Sequence, residues 1–250
     1  ELIEKQGAET IAAMIAEPLM GAGGVILPPE GYFPGIQAVL NEYDIPLIAD
    51  EVITGFGRTG NAFGSETYDI DPTSMTLAKA LSSGYIPISA VIVNDDLFEP
   101  IKEASDDIGV FGHGYTYTGH PVSCAVALKT LEIYERDKVF QHAKKVGEYF
   151  QNSIKEILKE DYVGEVRGIG LIAGIELYKD PLNKIAFEEA GKAGKILSDT
   201  CQKNGLIVRP ILDTVALCPP LIISEKEVDE LTDKLKKSLQ EAKDEIIKVH

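Results

Sequence analysis

Residues 74–84 read SMTLAKALSSG, in which a short apolar run leads into Lys79 and then into small, turn-forming residues. Upstream, residues 45–51 read IPLIADE, and this second apolar run ends at Asp50. Both runs are continuously apolar rather than alternating, which is typical of strands that are covered on both faces of a parallel sheet. The two stretches therefore predict strands that bring Lys79 and Asp50 to the same edge of one sheet.

Strands and helices are predicted to alternate around these stretches. The apolar run IAAMIA at residues 11–16 precedes a predicted helix over 31–43, and strands are predicted over 45–49, 75–77 and 88–93. This order favours an α/β fold with a mostly parallel sheet and helices on both faces. Ligands of such sheets bind beyond the carboxyl ends of the strands. An amine and a carboxylate at that edge are the groups that hold pyridoxal 5'-phosphate (PLP), because the lysine bonds to its aldehyde and the carboxylate pairs with its pyridinium nitrogen.

The pattern changes after Asp161. Two long helices are predicted before this point, one over residues 122–135 and the next running to about residue 160, and shorter strands and helices follow it. The later elements are a hairpin-like pair of strands at 163–166 and 171–177, a helix at 186–203, strands at 206–208 and 214–217, and a last helix. Ser224, with Glu227 three residues later, is a capping-box pattern that predicts the start of that helix. These elements predict a small α+β domain.

Composition and charge exclude several classes of protein. The chain has 40 Asp and Glu against 24 Lys and Arg, a net charge of −16, so we expect no nucleic-acid partner. The sequence shows no charged-then-apolar signal-peptide pattern and no apolar run of about 18 residues, so we expect no membrane span. Three cysteines without metal-ligand spacing, Cys124, Cys201 and Cys218, indicate reduced thiols in a cytoplasmic protein. His113 and His120 have no further ligand at useful spacing, so no metal site is expected.

Four motifs occur in a fixed order along the chain: AEP at residues 16–18, IADEVITGFGRTG at 48–60, LAKA at 77–80 and HGYTYTGHP at 113–121. Together they resemble the class III aminotransferases, which are PLP-dependent enzymes of fold type I, and in particular the omega-aminotransferase branch. The resemblance covers the whole chain.

The resemblance implies a division of the chain into three segments. Residues 1–120 correspond to the second half of the large PLP-binding domain, residues 121–160 to connecting helices, and residues 161–250 to a small C-terminal α+β domain. In the family, the loop that cradles the cofactor phosphate and the aromatic residue on one ring face lie N-terminal to this chain's start. The chain begins with Glu1 and enters in mid-helix, so we expect it to be the C-terminal part of a longer protein.

Roles for the cofactor-binding residues follow from the resemblance. Lys79 resembles the lysine that forms the Schiff base, and Asp50 resembles the aspartate that bonds to the pyridine nitrogen. Val52 is similar to the residue that packs on one face of the ring. Thr118 resembles the threonine that reaches the phosphate of the neighbouring subunit's cofactor, which implies a homodimer with shared active sites.

Substrate-binding roles also follow from the resemblance. Arg209 matches the position of a mobile arginine that binds the substrate carboxylate in many omega-aminotransferases. Glu17 ends a predicted strand of the same sheet and is a candidate to tune or pair with that arginine.

Four of these residues also have an ordinary structural interpretation. Lys79 could be a surface lysine in a turn, Asp50 a cap after a strand, Thr118 part of a turn, and Arg209 a partner in a salt bridge at the edge of a domain. The spacing does not separate Asp50 from Glu51, since successive side chains of a strand point to opposite sides. The motif match alone selects Asp50.

The predicted function is a PLP-dependent transamination. An amino group would move from an amine or omega-amino acid to a keto acid, with pyruvate as the expected acceptor, through a Schiff base on Lys79. The same residues serve decarboxylases, lyases and racemases within the fold type, and these reactions stay alternatives. A non-catalytic structural fragment is the alternative from a different class.

Overall fold

The computed structural model describes residues 1–249, which form two compact units. The first unit contains Glu1–Pro18, Pro28–Phe56 and Ala62–Lys138. The second contains Leu19–Leu27, Gly57–Asn61 and the chain from Val139 onward. The predicted connecting segment, residues 121–160, is thus divided between the two units at Lys138.

The first unit consists of a sheet and its helices. In chain order these are α1 (Leu2–Gln6), β1 (Met14–Ala16), α2 (Tyr32–Glu42), β2 (Leu47–Asp50), α3 (Gly64–Tyr68), β3 (Ser74–Leu77), β4 (Ala90–Val93), α4 (Asp95–Ile108) and α5 (Pro121–Arg136). The strands lie in the order β1-β2-β3-β4, and β2 is parallel to both β1 and β3. Only β4 is antiparallel to its neighbour. The predicted α/β fold with a mostly parallel sheet is confirmed.

A small apolar core fixes β2 from one side. Phe33 and Leu40 of α2 pack with Ile45, Leu47 and Ile70 in a cluster of buried residues. Phe33 and Leu40 are seven positions apart, which places them on one face of the helix. Packing against α2 therefore holds the strand that ends at Asp50.

Helix α4 is missing from the sequence-based prediction. Asn94 caps it by accepting a hydrogen bond from the Leu97 amide (3.1 Å). The helix contains Pro100 in its interior and buries none of its residues. A proline that removes a backbone hydrogen bond weakens the helical signal, and this is why the sequence gives little indication of α4.

The second unit is an antiparallel sheet covered by helices. Its elements are α6 (Val139–Lys155), β5 (Val163–Ile169), β6 (Ile172–Leu177), α7 (Lys192–Lys203), β7 (Arg209–Ile211), β8 (Thr214–Leu217) and α8 (Glu225–Ile246). The strand order is β5-β6-β8-β7, and every pair is antiparallel. The predicted hairpin and the predicted α+β character of this region are both present. No helix within residues 1–249 is both long enough and apolar enough to cross a membrane.

In the second unit one predicted helix starts later than expected, and one predicted strand is absent. The helix predicted over 186–203 begins only at Lys192, because Gly191 has a left-handed φ of 83° and the Asp213 carboxylate accepts hydrogen bonds from the amides of Gly191 and Gly194. The strand predicted over 206–208 is absent. The Leu206 amide donates to the Cys201 carbonyl and so completes the end of α7, and the strand starts instead at Arg209.

Candidate active site

Three predicted site residues of the first unit lie at the carboxyl ends of its three parallel strands. Glu17 follows β1, Asp50 ends β2, and Lys79 comes two residues after β3. The strands are in register as parallel neighbours, with Ala16 opposite Ala49 and Asp50 opposite Thr76. Parallel neighbours end at the same edge of a sheet, so the fold brings these groups to one edge as the sequence predicts.

Hydrogen bonds fix the carboxylate of Asp50. Its Oδ1 atom accepts from the Val52 amide (3.1 Å) and from the Thr76 hydroxyl (3.0 Å). The side chain is half-buried. The first bond closes a local turn that places Val52, also half-buried, two residues after the end of the strand.

The neighbouring carboxylate, Glu51, serves a different purpose. Glu51 is fully buried, and its oxygens accept from the Thr54 hydroxyl and from the amides of Gly64 (2.8 Å) and Ser65 (2.6 Å). These amides lie at the start of α3, where a carboxylate satisfies otherwise unpaired N–H groups. Glu51 therefore anchors the chain after β2, and of these two adjacent carboxylates Asp50 is the one left at the sheet edge.

Lys79 lies in a strained turn. It begins a single 3₁₀ turn, Lys79–Leu81, with a left-handed φ of 46°, and its side chain is exposed. Exposure alone would suit an ordinary surface lysine. Residues other than glycine seldom adopt this φ, and such strain is concentrated at functional sites.

Thr118 lies in the loop before α5 and is exposed. Its hydroxyl accepts from the Tyr115 amide (2.9 Å), and its own amide donates to the Tyr115 carbonyl (2.9 Å). The loop therefore contains the turn that the structural interpretation predicts. Two residues later the side chain of His120 caps α5 by accepting from the Ser123 amide (3.4 Å). Within residues 1–249, no three His, Cys, Asp or Glu side chains form a group that could hold a metal ion.

Arg209 belongs to the second unit. It is the first residue of β7, which is an edge strand, and it lies opposite Ala216 of β8 with its side chain exposed. Pro210 follows it, and a proline is tolerated in an edge strand because one side of that strand makes no ladder hydrogen bonds.

The second unit also contains a cavity of about 680 Å³. No predicted site residue lines it. Its largest charged group, Arg167, is held by Glu176, by Glu165 (3.5 Å) and by the carbonyls of Gly24 (2.7 Å) and Val25 (2.9 Å). These contacts stabilise the fold of the second unit.

Comparison with known proteins decides the family. The sequence model described as Aminotransferase class-III matches residues 1–239. The chain belongs to the class III aminotransferase family. A probable gamma-aminobutyrate transaminase 3 from Oryza sativa subsp. indica is 47% identical over 245 residues, which are 98% of this chain and 48% of that protein. A chloroplastic gamma aminobutyrate transaminase 3 from Solanum lycopersicum is 46% identical over 98% of this chain and 47% of its own length.

Solved structures agree with this assignment. An omega transaminase from Pseudomonas jessenii in complex with PMP superposes with a TM-score of 0.96 at 45% identity, covering 98% of this chain and 54% of its own. A structure described as a transaminase with L-Ala has the same TM-score at 47% identity, over 98% of this chain and 58% of that one. The chain spans about half the length of the curated relatives it matches.

The residues at this sheet edge fit PLP, the cofactor of the class III family. Lys79 would supply an accessible amine for the aldehyde, and Asp50 would supply a carboxylate at the same sheet edge for the pyridinium nitrogen. Sequence reasoning missed Thr76, which bonds to Asp50. The sequence does show a threonine within an apolar strand, three residues before Lys79. Its partner, Asp50, becomes evident only from the register of β2 and β3.

Proposed function

We propose that the protein containing this chain is a PLP-dependent aminotransferase that moves an amino group from an amine or omega-amino acid to a keto acid, with pyruvate as the acceptor. One observation carries the proposal. The side chain of Asp50 is bonded to Thr76 of β3, and β3 leads directly to Lys79. The proton-holding carboxylate and the amine are thus built on adjacent strands.

Asp50 has the role of holding a proton on the cofactor nitrogen. When bound, PLP supplies a ring that accepts electrons from the substrate carbon, and it does so best when its nitrogen is protonated. A carboxylate close to that nitrogen stabilises the charged form. Val52 would pack on one face of the ring.

Lys79 has two roles, which its Nζ atom can fulfil in turn. It would hold the cofactor covalently. As a free amine, it would carry a proton to and from the substrate carbon as a general acid and base. The exposure of Lys79 allows the side chain the movement that these two roles require.

The remaining site residues rest on the family resemblance. Thr118 would bind the cofactor phosphate of a partner subunit. Arg209 would bind the substrate carboxylate, which its planar guanidinium fits with two parallel hydrogen bonds. Glu17 would pair with or tune that arginine.

We propose a second copy of this chain as the partner of the loop before α5. Phe111, Tyr115 and Tyr117 of the loop are exposed, the two tyrosines to 79% and 80%, and Val122 and Leu128 of α5 are exposed as well. Contiguous exposed apolar residues mark interaction surfaces, and aromatic residues are enriched in interfaces. A monomeric complete protein in solution would contradict this partner. The cytoplasmic location stays a prediction.

The decisive test is chemical trapping of the cofactor. The complete protein with PLP is treated with borohydride, which reduces the carbon–nitrogen double bond between lysine and cofactor to a stable single bond. Digestion and mass spectrometry should then find the PLP mass on the peptide that contains Lys79, and not on the peptide that contains the exposed Lys102. PLP on another lysine, or no bound PLP, would overturn the assignment.

A donor screen separates transamination from the other reactions of this fold type. Simple amines and omega-amino acids, including the gamma-aminobutyrate named in the relatives, are supplied with pyruvate as acceptor. Formation of alanine supports the proposal. Release of carbon dioxide, or racemisation of the donor without alanine, identifies a decarboxylase or a racemase instead.

A further inference from the structure

We infer that Thr76 is a positioning residue, which holds the carboxylate of Asp50 in the orientation that presents its second oxygen to the cofactor nitrogen. The inference rests on the proposed function, because it concerns the same PLP site.

Two donors converge on one oxygen of Asp50. The Thr76 hydroxyl lies 3.0 Å from Oδ1 and the Val52 amide lies 3.1 Å from it. Both bonds go to the same oxygen, and together they restrict rotation of the carboxylate about its side-chain torsions. The other oxygen, Oδ2, is then the one directed to a ligand at the sheet edge.

The backbone around Asp50 is held without the Thr76 hydroxyl. The Glu51 amide donates to the Thr76 carbonyl (3.0 Å), and the buried Glu51 carboxylate anchors the following segment on Gly64 and Ser65. Removing the hydroxyl of Thr76 leaves all of these bonds in place. Its loss should therefore free the Asp50 side chain while the strand and its turn stay folded.

Threonine is a suitable residue for this task. Its β-branched side chain favours a strand and has few rotamers, so the hydroxyl is presented with little loss of entropy. Valine has a similar shape but no donor. Serine retains the donor without the second branch.

The variant Thr76→Val therefore tests the inference, and Ser74→Ala is its matched control. Ser74 lies on the same strand, and its hydroxyl donates to the Ile92 carbonyl (2.8 Å) rather than to Asp50. Loss of the hydrogen bond from Thr76 to the charged Asp50 side chain should weaken PLP binding about tenfold. Thr76→Ser should restore the affinity, and Ser74→Ala should leave it unchanged.

The experiment measures PLP binding and the protonation of its ring nitrogen in the complete protein. PLP labelled with ¹⁵N at the ring is bound, its chemical shift is recorded, and the melting temperature of each apoprotein is measured alongside. We expect Thr76→Val to move the shift toward the unprotonated value and to bind about tenfold more weakly, with Thr76→Ser close to the native protein. A Thr76→Val holoenzyme with native shift and affinity overturns the role of Thr76 alone.

Two other outcomes are informative. If the native protein binds no PLP, the proposed function fails and the inference fails with it. If Thr76→Val does not fold, Thr76→Ala and Thr76→Ser give the comparison, and a shift that is equal in these two variants overturns the inference.

Discussion

Helices α4 and α6 are both amphipathic, but their apolar faces have different surroundings. Phe150 of α6 is fully buried in the second unit, in a cluster of 24 buried residues that α6, α7 and α8 form with the sheet. Phe98 of α4, in the first unit, is 47% exposed, and α4 buries no residue at all. Helix α6 thus buries its apolar face inside the second unit, whereas α4 buries no apolar side chain in the first. The first unit carries the Lys79 and Asp50 site together with exposed apolar side chains.

From this difference we expect the proposed catalytic residues and the residues that contribute most to folding stability to lie in different parts of the chain. Substitutions in the second unit should act mainly on the free energy of unfolding. Substitutions at the sheet edge of the first unit should act mainly on turnover.

The largest effect is expected for Lys79→Ala. In the proposed function this amine holds the cofactor and carries the proton, so its removal should lower the rate of transamination on the order of 10⁴-fold. Single-turnover kinetics of the complete protein measure it. Lys195→Ala is the control, since Lys195 is an exposed lysine of α7 that pairs with Asp199 (2.7 Å), and it should keep the native rate. A Lys79→Ala variant with the native rate would remove the chemistry from this edge.

Much of this separation was visible in the sequence. Local patterns predict the strands that lead to Asp50 and Lys79, the 163–177 hairpin and the cap at Ser224. A strand period or a capping residue is a short-range signal, so one stretch of sequence is enough to reveal it. The partner of Thr76 and the exposure of α4 were not visible. Register between strands and coverage of a helix face depend on residues far apart in the chain, and no local pattern encodes them.

Phe150→Ala should destabilise the second unit by about 3–5 kcal/mol, because it removes a fully buried aromatic side chain and leaves a cavity. Phe98→Ala in the first unit should change the free energy of unfolding of the 250-residue chain by less than about 1 kcal/mol, because Phe98 is half exposed there. Urea unfolding followed by circular dichroism measures both. Equal losses in the two variants would contradict the contrast between the units.

Arg209→Ala is the one substitution in the second unit that we expect to affect turnover. If Arg209 binds the substrate carboxylate, its removal should lower kcat/KM for omega-amino acids by about 10- to 100-fold, the cost of a lost charge-assisted hydrogen bond. Simple amines lack the carboxylate and should keep the native value. Equal losses for both donors would show that the second unit makes no such contact with the substrate.

The capping box of α8 gives a smaller effect that depends on pH. Ser224→Ala should cost about 1 kcal/mol near neutral pH, because the hydroxyl accepts from the Glu227 amide (3.3 Å). Hydrogen bonds from the Ser224 amide and hydroxyl lower the pKa of Glu227. A lowered folded-state pKa means that the contribution of Glu227 is present above its unfolded pKa, about 4.3, and is lost as the pH falls through the folded value.

Thermal unfolding at pH 7 and at pH about 3.5 measures this dependence. The difference between the native chain and Glu227→Gln should shrink at the lower pH. Ser105→Ala in α4 is the control, because Ser105 lies inside a helix and caps nothing, and its effect should not depend on pH. A pH-independent difference for Glu227→Gln would contradict the capping role.

The smallest change in stability is expected for Tyr68→Phe in the first unit. Tyr68 of α3 packs its ring near Phe33 (centroids 6.3 Å apart), and within residues 1–249 its buried hydroxyl has no hydrogen-bond partner. Burial raises the pKa of Tyr68 to about 12. Removing an unpaired buried polar group relieves its desolvation penalty, so Tyr68→Phe should raise the free energy of unfolding by up to about 1 kcal/mol. Tyr43→Phe is the control, since the Tyr43 hydroxyl contacts Glu4 (3.5 Å) in an exposed pair, and it should be neutral. A loss of stability in Tyr68→Phe would mean that the hydroxyl is paired in solution, and the core beneath β2 would then be more polar than its apolar cluster indicates.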